Sequence, residues 1–370
     1  MTNSMHDVLG ALTCALNNEP IPDLDEEAIK EAKQQAVLSL ICNNVQAIPF
    51  IAQNVKLMWE QQQLSSVFNN IPYFILKGSC AAIYYPVPIR RSFGDIDIIV
   101  SPSYFSDAYL ALKRAGYTLV NHDDRHIHFK NNGINIELHQ KFTVQNAIKQ
   151  EQVIDEWIYS ATPIIGRFGK YSFPMLPDHL NGLVLLVHIS QHLEEGLGLR
   201  HFVDWVMFVN KYLSDSEWQS FQELTDQLGL TTLAKVSARF GQKFLNMNQE
   251  ITWCLDIDDD TVDMLLDYIY ECGNFGRKDR NNNTMIMVMI HSRGVKGFFS
   301  NLQRRGVANW ESAQRHSCLR PFAWIYQLFR YFDKGIKKGG LKNIRSNIIT
   351  SRKRNQLFDR LGVTRFAIKE

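Results

Sequence analysis

The chain is predicted to fold as an α+β protein: a small mixed β-sheet with flanking helices, a helical segment before it and an all-α domain after it. Three observations predict this. Between residues 73 and 173, short β-type apolar runs (YFILK, DIDIIV, HIHFK, INIELH) are separated by turn residues. On either side the apolar residues return at helical spacing. At 370 residues the chain is long for one domain and comfortable for two. The expected organisation is a helical segment over 1–68, an α/β domain over 69–176, and a helical C-terminal domain with a basic tail over 177–370.

The first segment carries Ala28, Ala32, Ala36 and Leu40, then Ile51, Val55 and Met58, at helical intervals, with Pro49 as an expected break. In the α/β segment, residues 103–115 form the one stretch with a helical pattern. Asn132-Gly133, between HIHFK and INIELH, is a strong type I′ hairpin signal. A two-residue loop fixes the register by counting outward: Asn131 opposite Ile134, Lys130 opposite Asn135, Phe129 opposite Ile136, His128 opposite Glu137, Ile127 opposite Leu138 and His126 opposite His139. One hairpin face is then apolar, and the other gathers His126, His128, Glu137 and His139. In the C-terminal half, HLNGLVLLVHISQHL, RHFVDWVMFVNKYL, WQSFQELTDQL, DDTVDMLLDYIY and PFAWIYQLFRYF read as helices, and RKDRNNN (277–283) as a polar loop.

A net charge of +2, 45% hydrophobic and 21% charged residues exclude gross disorder. The first twenty residues lack a basic n-region and a long apolar run, so they do not read as a secretory signal. No apolar run reaches membrane-spanning length. Six scattered cysteines without a C-x-x-C pair suggest neither a zinc knuckle nor a disulfide framework, which fits a reducing cytoplasm. The first thirty or so residues are acidic and Arg330 to Lys369 is strongly basic. Solvated surfaces account for both, and contact with RNA or another polyanion is the functional reading of the basic tail.

The chemistry concentrates in YFILKGSCAAIYYPVPIRRSFGDIDIIV (73–100). Alternate strand residues share a face, so Asp95 and Asp97 project together while Ile96 and Ile98 face a core. Paired carboxylates offer hard oxygen ligands for Mg²⁺, or Mn²⁺ in its place, of the kind that also coordinates phosphate. Gly78-Ser79, at an expected helix start, offers backbone N–H groups to phosphate, and Lys77, Arg90 and Arg91 are candidate charge partners for it. If the hairpin lies beside the Asp95 strand, Glu137 joins the two aspartates as a third acid, a metal ligand or a general base. His188 and His192, four apart on one helix face, lack the Glu of H-E-x-x-H and read as hydrogen-bonded cleft residues. Arg200 and Asp204, also four apart, read as a structural ion pair. His126, His128 and His139 form either a support around the acids or a surface patch.

These residues resemble the nucleotidyltransferase fold of the DNA polymerase β superfamily. More narrowly, LKGS, Tyr85-Pro86, Arg90-Arg91, DIDIIV, Glu137-Leu-His139, HISQH and the Leu199-Arg200 to Asp204 segment resemble a bacterial family of uncharacterised nucleotidyltransferases, over about Ile75 to Asp204. The resemblance implies that Gly78 and Ser79 cradle an NTP triphosphate, that Asp95 and Asp97 bind Mg²⁺, and that Glu137 fills the third acidic position. Asp is commoner there in the wider superfamily, and the interval from Ser79 to Asp95 is longer than in minimal members. The implied activity is Mg-dependent transfer of an NMP group from an NTP to an unidentified hydroxyl-bearing acceptor (a small molecule, a protein or an RNA end), with release of pyrophosphate. The alternatives are a catalytically silent nucleotide-binding sensor or antitoxin-like interaction protein and, on the tail alone, an RNA-binding helical protein.

Overall fold

The computed structural model describes residues 3–122, 126–143, 148–193, 196–276, 278, 294–337 and 344–363. It divides into two compact units, Met1–Lys278 with Leu361–Glu370, and Asp279–Arg360. In the second, helices α13 (Gly294–Asn309), α14 (Glu311–Arg315), α15 (Ala323–Lys337) and α16 (Ile344–Arg360) include an aromatic seam: Phe299 meets Trp324 edge to face, and Trp310 stacks on Tyr326. Of the polar loop at 277–283, only Lys278 lies within the described residues.

The first unit opens with α1 (Asn3–Leu16), α2 (Glu26–Gln34), α3 (Leu38–Ile41) and α4 (Asn44–Phe68). Asn43 starts α4 with a capping box: its side chain accepts from the Gln46 N–H, and its own N–H donates to the Gln46 side chain. The break expected at Pro49 does not occur, and α4 runs through it. Pro49 lies in the second turn, where a missing N–H removes one helical bond, and buried residues farther along, Leu57, Met58, Leu64 and Phe68, hold the helix in the core that covers the sheet.

The sheet is mixed and seven-stranded, in the order β3-β4-β5-β2-β1-β7-β6. Its strands are β1 (Phe74–Leu76), β2 (Asp95–Ile99), β3 (Thr118–His122), β4 (His126–Asn131), β5 (Ile134–His139), β6 (Ile164–Phe168) and β7 (Tyr171–Met175). Short helices α5 (Gly78–Ala82), α6 (Phe105–Arg114) and α7 (Glu151–Ser160) intervene. β2 pairs in parallel with β5 and β1 with β7, and the remaining neighbours are antiparallel. Ile96, Ile98, Phe129, Ile136 and Leu138 bury one face in a core shared with α4 and α6, each large side chain contributing about 1.5–3 kcal/mol. The opposite face carries the carboxylates and histidines. Helices α8 (Asp178–His192), α9 (Leu199–Tyr212), α10 (Asp215–Leu228), α11 (Thr231–Phe244) and α12 (Asp259–Cys272) complete the unit.

All six pairs of the β4–β5 hairpin match the register counted from Asn132-Gly133, and both turn residues take positive φ, +49° and +82°. A methyl group at Gly133 would meet nothing within 4 Å, so Gly133→Ala is opposed by conformation alone. It is expected to destabilise the protein by about 1–2 kcal/mol, read as a lowered denaturant midpoint at constant m-value.

Candidate active site

Two strands bring the acids together. β2 and β5 align Asp97 with Glu137 directly and Asp95 with Asn135, so the adjacency expected for the hairpin holds. The three carboxylates line a cleft of about 590 Å³ with Lys77, Gly78 and Arg91, and its far wall comes from α8 and α9: His188, His192, Arg200 and His201. That volume is within the range of small-molecule sites.

Asp97 is 5% exposed, and its Oδ1 accepts from Lys77 Nζ at 2.9 Å and contacts His139 Nε2 at 2.9 Å. Burial alone would raise its pKa, but the ammonium and the imidazole outweigh burial and hold the carboxyl well below its ordinary value. Among the described residues Asp95 has no such partner, and burial first, then the Asp97 charge, push it up to about 6. Glu137 is lowered: burial opposes ionisation, and the His139 hydrogen bond, together with the His139 and Lys77 charges, outweighs it. Lys77 reaches Asp97 from a backbone at φ +55°, ψ −124°, a costly conformation for a side-chain-bearing residue and one that concentrates at functional sites.

Gly78 opens α5, whose first N–H groups have no intrahelical acceptor. The Ser79 hydroxyl turns away, donating to Gln61 Oε1 at 2.9 Å, so what the Gly-Ser turn offers the cleft is backbone. Arg90 reaches Cys42 O and Asn44 Oδ1 and is not among the cleft-lining residues. Arg91 lines the cleft but is committed to Asp204, through Nε to Oδ1 at 3.0 Å and Nη2 to Oδ2 at 2.5 Å, while Tyr85 donates to Oδ1 at 2.6 Å. The expected Arg200–Asp204 pair is therefore replaced by a bidentate pair across 113 residues. Among the described residues no ion pair involves Arg200, and its pKa is lowered by burial and then by the Arg91 charge. Asn54 of α4 was not anticipated from sequence: its Nδ2 donates to the Ile89 and Arg91 carbonyls and its Oδ1 accepts from Phe93 N–H, fixing the segment that delivers Arg91 and β2.

His188 and His201 face each other, Nε2 to Nε2 at 3.2 Å, and the ring of His192 lies 4.6 Å from that of His188. Burial first, then the Lys77 charge for His188 and the Arg200 charge for His201, hold both well below the usual histidine pKa. Both are thus neutral when folded, whereas the unfolded chain takes up their protons near pH 6.5. Their contribution to stability is complete above that pH and is lost as pH falls below it. His139, whose pKa the Asp97 and Glu137 hydrogen bonds raise against burial, and Asp95, pushed up to about 6, act in the opposite sense and offset part of this loss. Melting temperature is expected to fall between pH 7.5 and 5.5, and a His188→Asn/His201→Asn protein is expected to show a shallower fall.

The fold thus combines a mixed sheet with a strand-borne carboxylate pair, a third acid on the neighbouring strand and a Gly-Ser turn beside the pair. A family model described as "Uncharacterised nucleotidyltransferase" matches residues 5–246, more than half of the chain, and the chain belongs to that family. No curated protein matches. A similar solved structure, an antigenic nucleotidyltransferase-like protein from Paracoccidioides brasiliensis, is 12% identical, with a TM-score of 0.30, covering 53% of this chain and 93% of that one. Among the described residues, no helix is long and apolar enough to cross a membrane, and the six cysteines are free thiols.

Proposed function

We propose that the protein transfers the NMP group of an NTP to a hydroxyl-bearing acceptor and releases pyrophosphate. The observation that carries this reading is the β2–β5 register, which sets Glu137 beside Asp97 in a cleft whose opposite wall carries Arg200. The donor set suits a divalent cation: three hard carboxylates converge, and Asp95, raised to about 6 by burial and by Asp97, is a charge that a cation would stabilise. Asp95, Asp97 and Glu137 would hold Mg²⁺ or Mn²⁺, which supplies charge stabilisation for the attacking and leaving oxygens.

Lys77 and Arg200 bind the triphosphate as point-charge and forked donors, and the Gly78-Ser79 backbone adds N–H donors to the phosphate oxygens. The acceptor oxygen attacks the α-phosphorus, its proton passes to a Glu137 carboxylate oxygen, and the bond to pyrophosphate breaks. The acceptor is a small molecule, a protein side chain or an RNA end, and the free thiols fit a reducing cytoplasm. Polyanion contact through the basic stretch of α15 and α16 is a separate expectation, tested by whether truncating the tail lowers RNA affinity.

One observation favours a second reading, a nucleotide sensor without transfer: Asp97 is already neutralised by Lys77 and His139. Incubation with each α-labelled NTP, Mg²⁺ or Mn²⁺ and cell extract separates the two. Transfer supports the enzyme; nucleotide binding that persists without a divalent ion and yields no pyrophosphate supports the sensor.

A further inference from the structure

The polar face of the β4–β5 hairpin carries more nitrogen donors than phosphate chemistry requires. On β4, His126 and His128 stand on one face, and Glu137 of β5 lies directly opposite His128. The Glu137 carboxylate is divided between them: His128 Nδ1 is 3.4 Å from Oε1 and His126 Nε2 is 3.8 Å from Oε2. One donor atom from each of the three residues can be chosen so that all lie within 4.8 Å of one another. On the far side, His139 Nε2 sits 3.4 Å from Glu137 Oε2 and 2.9 Å from Asp97 Oδ1, so Glu137 joins two ligand groups, Asp97/Glu137/His139 and His126/His128/Glu137.

We propose that His126, His128 and Glu137 form a binding site for a nitrogen-preferring divalent transition metal, beside the carboxylate site and sharing Glu137 with it. Metal–ligand bonds of about 2.0–2.2 Å at tetrahedral or octahedral angles place neighbouring donors roughly 3.0–3.5 Å apart, and the Glu137–His128 separation falls in that interval while Glu137–His126 is a few tenths of an ångström outside it. Two imidazoles and one carboxylate suit Zn²⁺, Mn²⁺, Fe²⁺ or Co²⁺, whereas Mg²⁺ prefers oxygen and retains its waters. The ring of His126 lies 4.4 Å from that of His128 and 4.9 Å from that of His139. The side chains of His128 and Glu137 are 29% and 21% exposed, which gives an ion a route in from solvent. His139, hydrogen-bonded to both acids, supports Glu137 from behind, as carboxylates and imidazoles around metal ligands commonly do.

The test uses the full chain, stripped with chelator and titrated with Co²⁺, following the visible absorption of the bound ion and metal content after gel filtration. One tightly bound Co²⁺ with nitrogen-ligand absorption is expected, displaced by Zn²⁺ but not by millimolar Mg²⁺. His128→Gln, at a partly exposed position that leaves the melting temperature in place, is expected to weaken Co²⁺ binding at least about tenfold, and His126→Gln/His128→Gln at least about a hundredfold. Asp95→Asn is expected to leave Co²⁺ binding unchanged while removing Mg-dependent transfer, so failure of this site and failure of the transfer reading give different results. Absence of stoichiometric Co²⁺ overturns the proposal. So does Co²⁺ binding that survives the double histidine change or disappears with Asp95→Asn.

Discussion

Asp95→Asn and Asp97→Asn are each expected to reduce NMP transfer by at least about 10³-fold while the fold is retained. Removing a single preorganised donor to transition-state charge commonly costs 10²- to 10³-fold, and here the loss extends to the cation that the carboxylates would hold. Asp95 is the cleaner variant. Burial and the Asp97 charge push its carboxyl up to about 6, so an uncharged amide relieves crowding, and its melting temperature is expected to stay level or rise. Asp97 is bound to Lys77 and His139, and its replacement leaves a buried ammonium without its partner. Retained activity in both variants would remove the carboxylates from the chemistry.

The largest stability effect is expected at Arg91 and Asp204, which are each 5% exposed beside the equally buried Tyr85. The pair joins the segment before β2 to α9, the near and far walls of the cleft. Arg91→Ala or Asp204→Ala leaves one buried charge uncompensated, at about 3–5 kcal/mol, a large share of the stability of an ordinary domain. A fall in melting temperature on the order of 10 °C is expected. Arg91→Met/Asp204→Leu removes both charges and is expected to recover much of the loss. A single variant that melted within about 2 °C of the unchanged protein would show that the pair does not hold the walls together.

What the sequence revealed depended on how local the governing interaction is. The hairpin register was readable because the Asn132-Gly133 loop leaves one way to count, and the Asp95/Asp97 face follows from strand alternation. The Gly169-Lys170 turn, between Phe168 and Tyr171, carries a similar signal for the β6–β7 pair, with Gly169 at φ +58°. The parallel pairing of β2 with β5 has no local signature, because α6, β3 and β4 intervene. Helical spacing suggested Arg200–Asp204, but Arg91 arrives from elsewhere in the chain with a fork that satisfies both carboxylate oxygens. Arg200 is thereby left for the cleft, a role visible only in three dimensions. The Ser79 hydroxyl and Arg90 were likewise redirected by distant partners, Gln61 and the Cys42–Asn44 turn.

The central claim, phosphoryl chemistry at the α position under Asp95, Asp97 and Glu137, is tested most directly by comparing one NTP labelled at the α- or the γ-phosphate, with Mg²⁺ and acceptor-containing extract. The expected result is α label on the acceptor and γ label in pyrophosphate, both abolished by Asp95→Asn. Label from the γ position on the acceptor, or release of γ label as inorganic phosphate with no α transfer, would contradict it.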